Sequence, residues 1–472
     1  MKGRFLLALA IAVLAVFANS AIPVMAGNVF AGVPSTVNGF PTWDSDIINV
    51  RDLLGEDTGY TGEGVYIAVL DTGLTSNWRD YFPEERIATD LGIGFYESVK
   101  MDDACENVIR TDGVLHTGSF IGSTGSTHGT HVTSTIIGYF YEAPQDTNPN
   151  IPPIIVRGIA PEATIIPVKV LDTYHFPCGT GPEGVTFGTD PMVAAGIRYA
   201  ADLPQRPMIV TMSLGGPEPT AIIEDAIDYA ISKGVIVVAA AGNSGTEGMD
   251  WPGAYPQVIS VGASGWKYEW YWPKLTPPSG PSGSQRYRLW WLQQNTWFPG
   301  GYTSGYNNIP NPTPAKQVYI TDFSGRQLKS TPFTNCGPTH DQPCVQDLDV
   351  VAPGSWVRGP FPGLPGYAHL PWWSEGIGGL VGLNPGNFYY VGGTSMATPH
   401  VASVIALMLE KNPSLTQSAV ESILESTALK ISAGSMTVFD LVPTPGFYTY
   451  SWGKDATGRG LVQANKALAA VP

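Results

Sequence analysis

MIVTMSLGGPEPTAIIEDAIDYAISKGVIVVAAAGN, residues 208–243, sets the fold class. Its opening run MIVTMSL is short, apolar and uninterrupted, as a strand buried on both faces requires. A helix fits Thr220 to Lys233, because Ile222, Ile223, Ala226, Ile227, Ala230 and Ile231 make one stripe at helical spacing and Gly234 ends it. VIVVAAA (235–241) is a second buried strand. Strand, helix and strand in this order call for a right-handed crossover in a parallel sheet.

The same alternation continues outward. IIPVKVL (165–171) lies before the unit, VISVG (258–262) and LDVVA (348–352) after it, and a further helix fits Phe187 to Ala201. TGEGVYIAVLDTG (61–73) holds a continuous apolar run from Val65 to Leu70 that ends in Asp71. The expected class is α/β, three layers with a mainly parallel sheet covered by helices on both faces. Two aromatic-rich stretches, 266–317 and 358–388, are too long for connectors and are expected as ordered surface insertions. They either line a substrate groove or hold a partner, or they pack only on themselves.

The 472 residues contain no repeat, so one large domain with insertions is expected over 51–472, preceded by an arm at 27–50. Lys2 and Arg4 precede an apolar run from Phe5 to Ala18, the pattern of a secretory signal peptide. Cleavage fits after Ser20 or after Ala26, and the boundary is placed at Ala26. The run falls short of the roughly 20 residues that a spanning helix needs, so no membrane anchor is expected after cleavage. A secreted or extracellular protein follows, in a compartment where Cys105, Cys178, Cys336 and Cys344 oxidise. Cys336 and Cys344 bracket a short Gly- and Pro-containing loop and are the favoured pair, although the sequence leaves the pairing open. A net charge of -15 repels nucleic acid, and no nucleic-acid partner is expected.

One hydroxyl stands out, that of Ser395 in VGGTSMATPHVASVIALMLE (391–410). Val401, Val404, Ile405 and Met408 mark a helix that begins at the serine, with Pro399 expected in its first turn. Ser395 then sits where free N–H groups and the helix dipole favour negative charge, although the same pattern is also ordinary capping. Asp71 at the carboxyl end of a buried strand is placed where ligands meet open parallel sheets, or else serves a turn. His128 and His131, three apart in STHGTHVTSTIIG (126–138), lack the acid and third ligand of a metal site. One as a base and the other as a packed neighbour fits better. A nucleophilic serine needs such a base, and the base needs a carboxylate to orient it.

AVLDTG, HGTHV and GTSMATPHV, in that order, resemble the three catalytic signatures of the subtilisin-like serine peptidases, the subtilases. The resemblance runs from about Gly64 to the C-terminus. It implies a subtilisin-like fold and a secreted endopeptidase acting on proteins or peptides through an acyl-enzyme, with Ser395 as nucleophile, His128 as base and Asp71 orienting it. Asn243 in AAAGN matches the oxyanion donor, and Ser213, Leu214 and Gly215 match the segment that pairs with the substrate backbone. Asp80 matches a structural calcium ligand, although the loop after His131 (139–156) departs from the family pattern and an ordinary surface acid is the alternative. Asp250, just before Trp251-Pro252, matches the floor of the pocket for the residue before the cut bond, where a carboxylate would select Lys or Arg unless the alignment slips. Between Ala26 and Asp71 there is no room for the propeptide domain of many secreted relatives, so maturation is expected by loss of the signal or a short arm alone. A binding protein that keeps the fold and uses its aromatic insertions is the competing expectation.

Overall fold

The structure is a computed structural model that describes residues 30, 32–39, 41–50, 58–102, 108–122, 127–141, 154–176, 185–267, 270–271, 287–288, 314–362, 372–373, 387–440 and 446–472. The signal region, Cys105, Cys178 and most of both aromatic insertions lie outside the described residues.

Among the described residues nine strands form the central sheet: β1 (Tyr66–Asp71), β2 (Ile93–Met101), β3 (Val108–Gly118), β4 (Thr164–Lys169), β5 (Met208–Met212), β6 (Ile236–Ala240), β7 (Ile259–Trp266), β8 (Val318–Ile320) and β9 (Val350–Pro353). Their order is β8-β7-β6-β5-β1-β4-β2-β3, with β9 also beside β7. Pairing is parallel from β2 through β4, β1, β5, β6 and β7 to β9, and antiparallel only where β3 and β8 join. β4 and β5 follow one another in the chain yet flank β1 on opposite sides. The connections therefore part at β1, and its carboxyl end opens a crevice.

Alternate residues of β1 feed two separate cores, which explains its unbroken apolar run. Ile67 and Val69 face a core with α2 (Thr127–Ile137) and α5 (Thr394–Lys411). Ala68 and Leu70 face the other, with α3 (Asp190–Asp202) and α4 (Ala221–Ser232). α4 keeps the expected bounds, with Thr220 and Lys233 as its caps. Its stripe is narrower than expected: Ala226, Ile227 and Ala230 are buried, whereas Ile222 is 43% exposed. α3 begins at Asp190 instead of Phe187, because Val185–Phe187 pairs with Asp172–Tyr174 as a small hairpin and Pro191 opens the helix. After α6 (Gln417–Thr427) a second hairpin forms from β10 (Gly434–Asp440) and β11 (Gly446–Trp452).

From Gly32 onward the arm belongs to this body. α1 (Trp43–Ile47) sets Asp44 against His400 of α5, and Ile48 and Val50 are buried in the first core. Cys336 and Cys344 form the favoured disulfide. Among the described residues no helix is long and apolar enough to cross a membrane.

Candidate active site

Three element ends converge on the crevice. Asp71 closes β1 and is fully buried, His128 is the second residue of α2, and Ser395 is the second residue of α5. His128 Nδ1 lies 2.8 Å from Asp71 Oδ1 and 2.9 Å from Oδ2, so the carboxylate fixes the ring with Nδ1 as the donor and leaves Nε2 as the acceptor. Asp71 Oδ1 also accepts from the Thr72 N–H, and Thr72 Oγ1 accepts from the Gly129 N–H at 2.9 Å. At Gly129 a Cβ would stand 2.4 Å from the Gly73 carbonyl oxygen. Only glycine lets α2 approach β1 closely enough for this pairing.

α5 begins at Thr394, one residue before the serine, and Pro399 is its sixth residue, beyond the first turn where it was expected. A proline there has no N–H for the carbonyl four residues back, which is that of Ser395. Ser213 Oγ donates to this freed carbonyl at 2.7 Å, and the Ser395 hydroxyl donates to the Ser213 carbonyl at 3.1 Å. Ser395 is thus clamped to the end of β5. Ser213 meets the serine's own backbone with its side chain, a contact that no spacing in the sequence announces.

Asn243 Oδ1 accepts from the Thr394 N–H at 2.8 Å and from Thr394 Oγ1 at 3.0 Å. Because a backbone N–H can only donate, the amide orientation is settled and Nδ2 is left for the cavity. In the first turn of α5 the Ser395 N–H has no partner within the helix, and a bound carbonyl oxygen would meet both donors. Thr394 was legible only as part of the GTS motif.

His128, Ser395, Asn243, Ser213, Leu214, Gly215, Trp251 and Pro252 line one cavity of about 310 Å³. Gly216 and Trp251 exchange backbone bonds at 2.8 Å in both directions, while Leu214 and Gly215 make none among the described residues. They present an unpaired stretch of backbone along the cavity. Asp190 and Glu218 also line the cavity, and burial raises the Asp190 carboxyl above its usual range.

Asp250 is not among the residues that line this cavity; it packs against the backbone of Gly215, which does, and of Gly242. A Cβ on Gly215 would stand 2.7 Å from the Asp250 Cβ, and one on Gly242 would stand 2.4 Å from its carboxyl carbon. Burial raises its carboxyl, against hydrogen bonds from the Asn243 backbone and the Ser244 hydroxyl.

The second histidine, His131, is buried and has another role. Its Nε2 donates to the Val357 carbonyl at 3.1 Å, and burial with the nearby His128 pushes it down to about 3. It is a neutral packing residue. Asp80 is an exposed acid that accepts from Asn77 Nδ2 at 3.1 Å. The loop expected to complete a calcium site is described only at its ends, where Gly138–Tyr141 pairs with Ile154–Arg157. Among the described residues the one trio of carboxylates near enough to share an ion is Asp349, Glu421 and Glu425, and Asp80 is not in it.

A family model described as the subtilase family matches residues 62–461. The chain is 28% identical over 374 residues to Subtilisin E of Bacillus subtilis (strain 168), a match that covers 78% of this chain and 62% of that protein. It is 27% identical over 390 residues to Subtilisin BL of Lederbergia lenta, covering 83% of this chain and 93% of that protein. The chain therefore spans only 62% of the length of Subtilisin E. Among solved structures it resembles that of fervidolysin from Fervidobacterium pennivorans, described as a keratinolytic enzyme related to subtilisin, with TM-score 0.50 and 23% identity over 91% of this chain and 46% of that one. That likeness bears on the fold alone.

Proposed function

The chain belongs to the subtilase family, and from that membership together with the geometry around Ser395 we propose that it is a secreted serine endopeptidase that works through an acyl-enzyme. The observation that carries this is the double approach of Asp71 to His128 Nδ1 in the cavity that also holds Ser395 and Asn243. For attack, the Ser395 hydroxyl turns from the Ser213 carbonyl to His128 Nε2, which takes its proton as Oγ bonds to the scissile carbonyl carbon. The carbonyl oxygen becomes anionic and is held by the Ser395 N–H and Asn243 Nδ2. Loss of one such donor lowers kcat by about 10²–10³. The proton on His128 then goes to the leaving amine, and water enters by the same base to release the acid. Asp71 keeps its proton-free form throughout and stabilises the imidazolium.

Export is supported by the N-terminal charge and apolar pattern and by the Cys336–Cys344 disulfide, which persists in an oxidising compartment. A fluorophosphonate probe tests the chemistry. It should label Ser395, and Ser395→Ala should abolish both labelling and casein cleavage. A protein that stays unlabelled while folded is a scaffold on this fold, not a peptidase.

A further inference from the structure

The loop closed by the Cys336–Cys344 disulfide lies on the first turn of α4. Its two cysteines are buried in the core that α3 and α4 share with Trp251 and Tyr255. The Gly337 N–H donates to Glu224 Oε1 at 3.0 Å, and the His340 N–H donates to the Gly337 carbonyl at 2.9 Å. His340 takes φ at 51°, a left-handed conformation uncommon outside glycine, and its ring meets Glu224 and Asp225. Glu224 follows Ile223, which lines the cavity around Ser395.

Both nitrogens of that ring face carboxylates. Nε2 lies 3.2 Å from Asp225 Oδ1, and Nδ1 lies 3.5 Å from Glu224 Oε2. The Glu224 side chain is 5% exposed, whereas Asp225 is open to solvent. Glu224 Oε2 and His340 Nδ1 are buried, and among the described residues neither makes a hydrogen bond. Asp225 keeps the ring proton on Nε2, so Nδ1 turns a lone pair toward Glu224. A lone pair and a carboxylate oxygen that face each other away from water repel, and a cation between them removes the repulsion. A second ring proton would draw the two atoms to about 2.7–2.9 Å, the length of a charge-assisted bond. The observed gap is wider. It is near the roughly 3.3 Å between two ligands of one tetrahedral ion with bonds of about 2.0–2.1 Å.

We propose that Glu224 Oε2 and His340 Nδ1 are two ligands of a site for a divalent transition-metal ion such as Zn²⁺, with water completing its shell. A ring nitrogen in the donor set selects against calcium and magnesium, which take oxygen. Asp225 is the positioning residue. It holds the Nε2 proton and so aims Nδ1, as the carboxylates behind metal-bound histidines do. The bound ion fastens the disulfide loop to the start of α4, beside the wall of the cavity around Ser395.

The test uses the full chain carrying Ser395→Ala, which prevents self-digestion, stripped with EDTA and titrated with Zn²⁺ at neutral pH. Co²⁺ is the spectroscopic probe, because a tetrahedral site gives it strong visible absorption. Zn²⁺ should raise Tm, and excess Ca²⁺ should not displace it. Asp225→Asn should weaken Zn²⁺ binding by about 10–100-fold, the range for loss of a carboxylate behind a metal ligand. His340→Gln and Glu224→Gln should weaken it further and remove the Co²⁺ bands. Glu224→Gln keeps an oxygen for the Gly337 N–H, and His340→Gln leaves the buried carboxylate untouched, so one variant serves if the other fails to fold. His116 and His128 stay in every variant, and any zinc they hold cancels from the comparison. An unchanged Tm with Zn²⁺ in the parent, or equal Kd in the parent, His340→Gln and Glu224→Gln, overturns the proposal and leaves only a proton between the two residues.

Discussion

At Asp250 a partly buried carboxylate packs against two glycine backbones, Gly215 and Gly242, and the bonds it accepts come from uncharged donors on Asn243 and Ser244. Its desolvation is the larger effect, which is why its carboxyl is raised. A guanidinium entering from the cavity would restore what burial removed, whereas a phenyl ring would leave the charge in a drier setting. We expect peptides with Arg before the cut bond to be preferred over Phe, and Asp250→Gly to lower the Arg-to-Phe ratio of kcat/KM by about 10–100-fold, the range for a hydrogen bond between charged groups. The pH dependence has a definite sign. The carboxylate is charged above its raised pKa, so the Arg preference grows as pH rises through that pKa. As pH falls it fades earlier than it would for an ordinary Asp near 3.9. Equal Arg-to-Phe ratios in parent and variant, or a parent that favours Phe, would show that Asp250 does not read the substrate.

At the scale of elements, α1 and α5 are joined by a buried pair. His400 Nε2 lies 2.9 Å from Asp44 Oδ2 and its Nδ1 lies 2.8 Å from the Met396 carbonyl, so both ring nitrogens face acceptors. Burial acts to raise the Asp44 carboxyl, but the hydrogen bond and charge of His400 prevail and hold it below its usual range. A group whose folded pKa is depressed contributes stability that is present above its unfolded value and is lost as pH falls through the folded one. Asp44→Asn should therefore lower unfolding stability by about 3 kcal/mol near neutral pH, the order for breaking a buried ion pair. The deficit should shrink only below the ordinary carboxylate range. Urea melts at pH 7 and pH 3 measure this, and coincident curves for parent and variant at pH 7 would refute it. The sequence announces neither this pair, whose members stand 356 positions apart, nor the β10–β11 hairpin. By contrast, β5, α4 and β6 are legible because period, length and a terminating glycine act within one window of 36 residues. Asp71, His128 and Ser395 are legible because each stands in a short motif at an element end. Pro399 is misplaced from sequence by a few residues, since the start of α5 depends on Gly393 and on Asn243 accepting the Thr394 N–H, a contact made only in the fold.

Across the whole molecule the charges form a field that no single contact describes. The chain carries a net charge of -15, and among the described residues the cavity around Ser395 is lined by Asp190 and Glu218 with His128 as the one lining residue able to become cationic. Field lines from such a surface converge in a cleft with low-dielectric walls, so a cationic peptide is drawn to the place where the chemistry occurs. The effect is long-ranged and hence screened, with a Debye length near 30 Å at 0.01 M salt and about 3 Å at 1 M. Contacts inside the cavity are much less sensitive to salt. Raising ionic strength should therefore lower kcat/KM for a peptide with several Lys or Arg residues by about tenfold or more. It should leave an uncharged peptide nearly unaffected and should improve turnover of an acidic one. kcat should change little in all three cases, because steering acts on encounter. Initial rates for three peptides that share the same cut bond and differ only in outlying charge, measured from low to high salt, separate this from local specificity. If the cationic and neutral peptides respond to salt alike, the acidic surface serves solubility, and selection of basic substrates is left to local contacts such as that at Asp250.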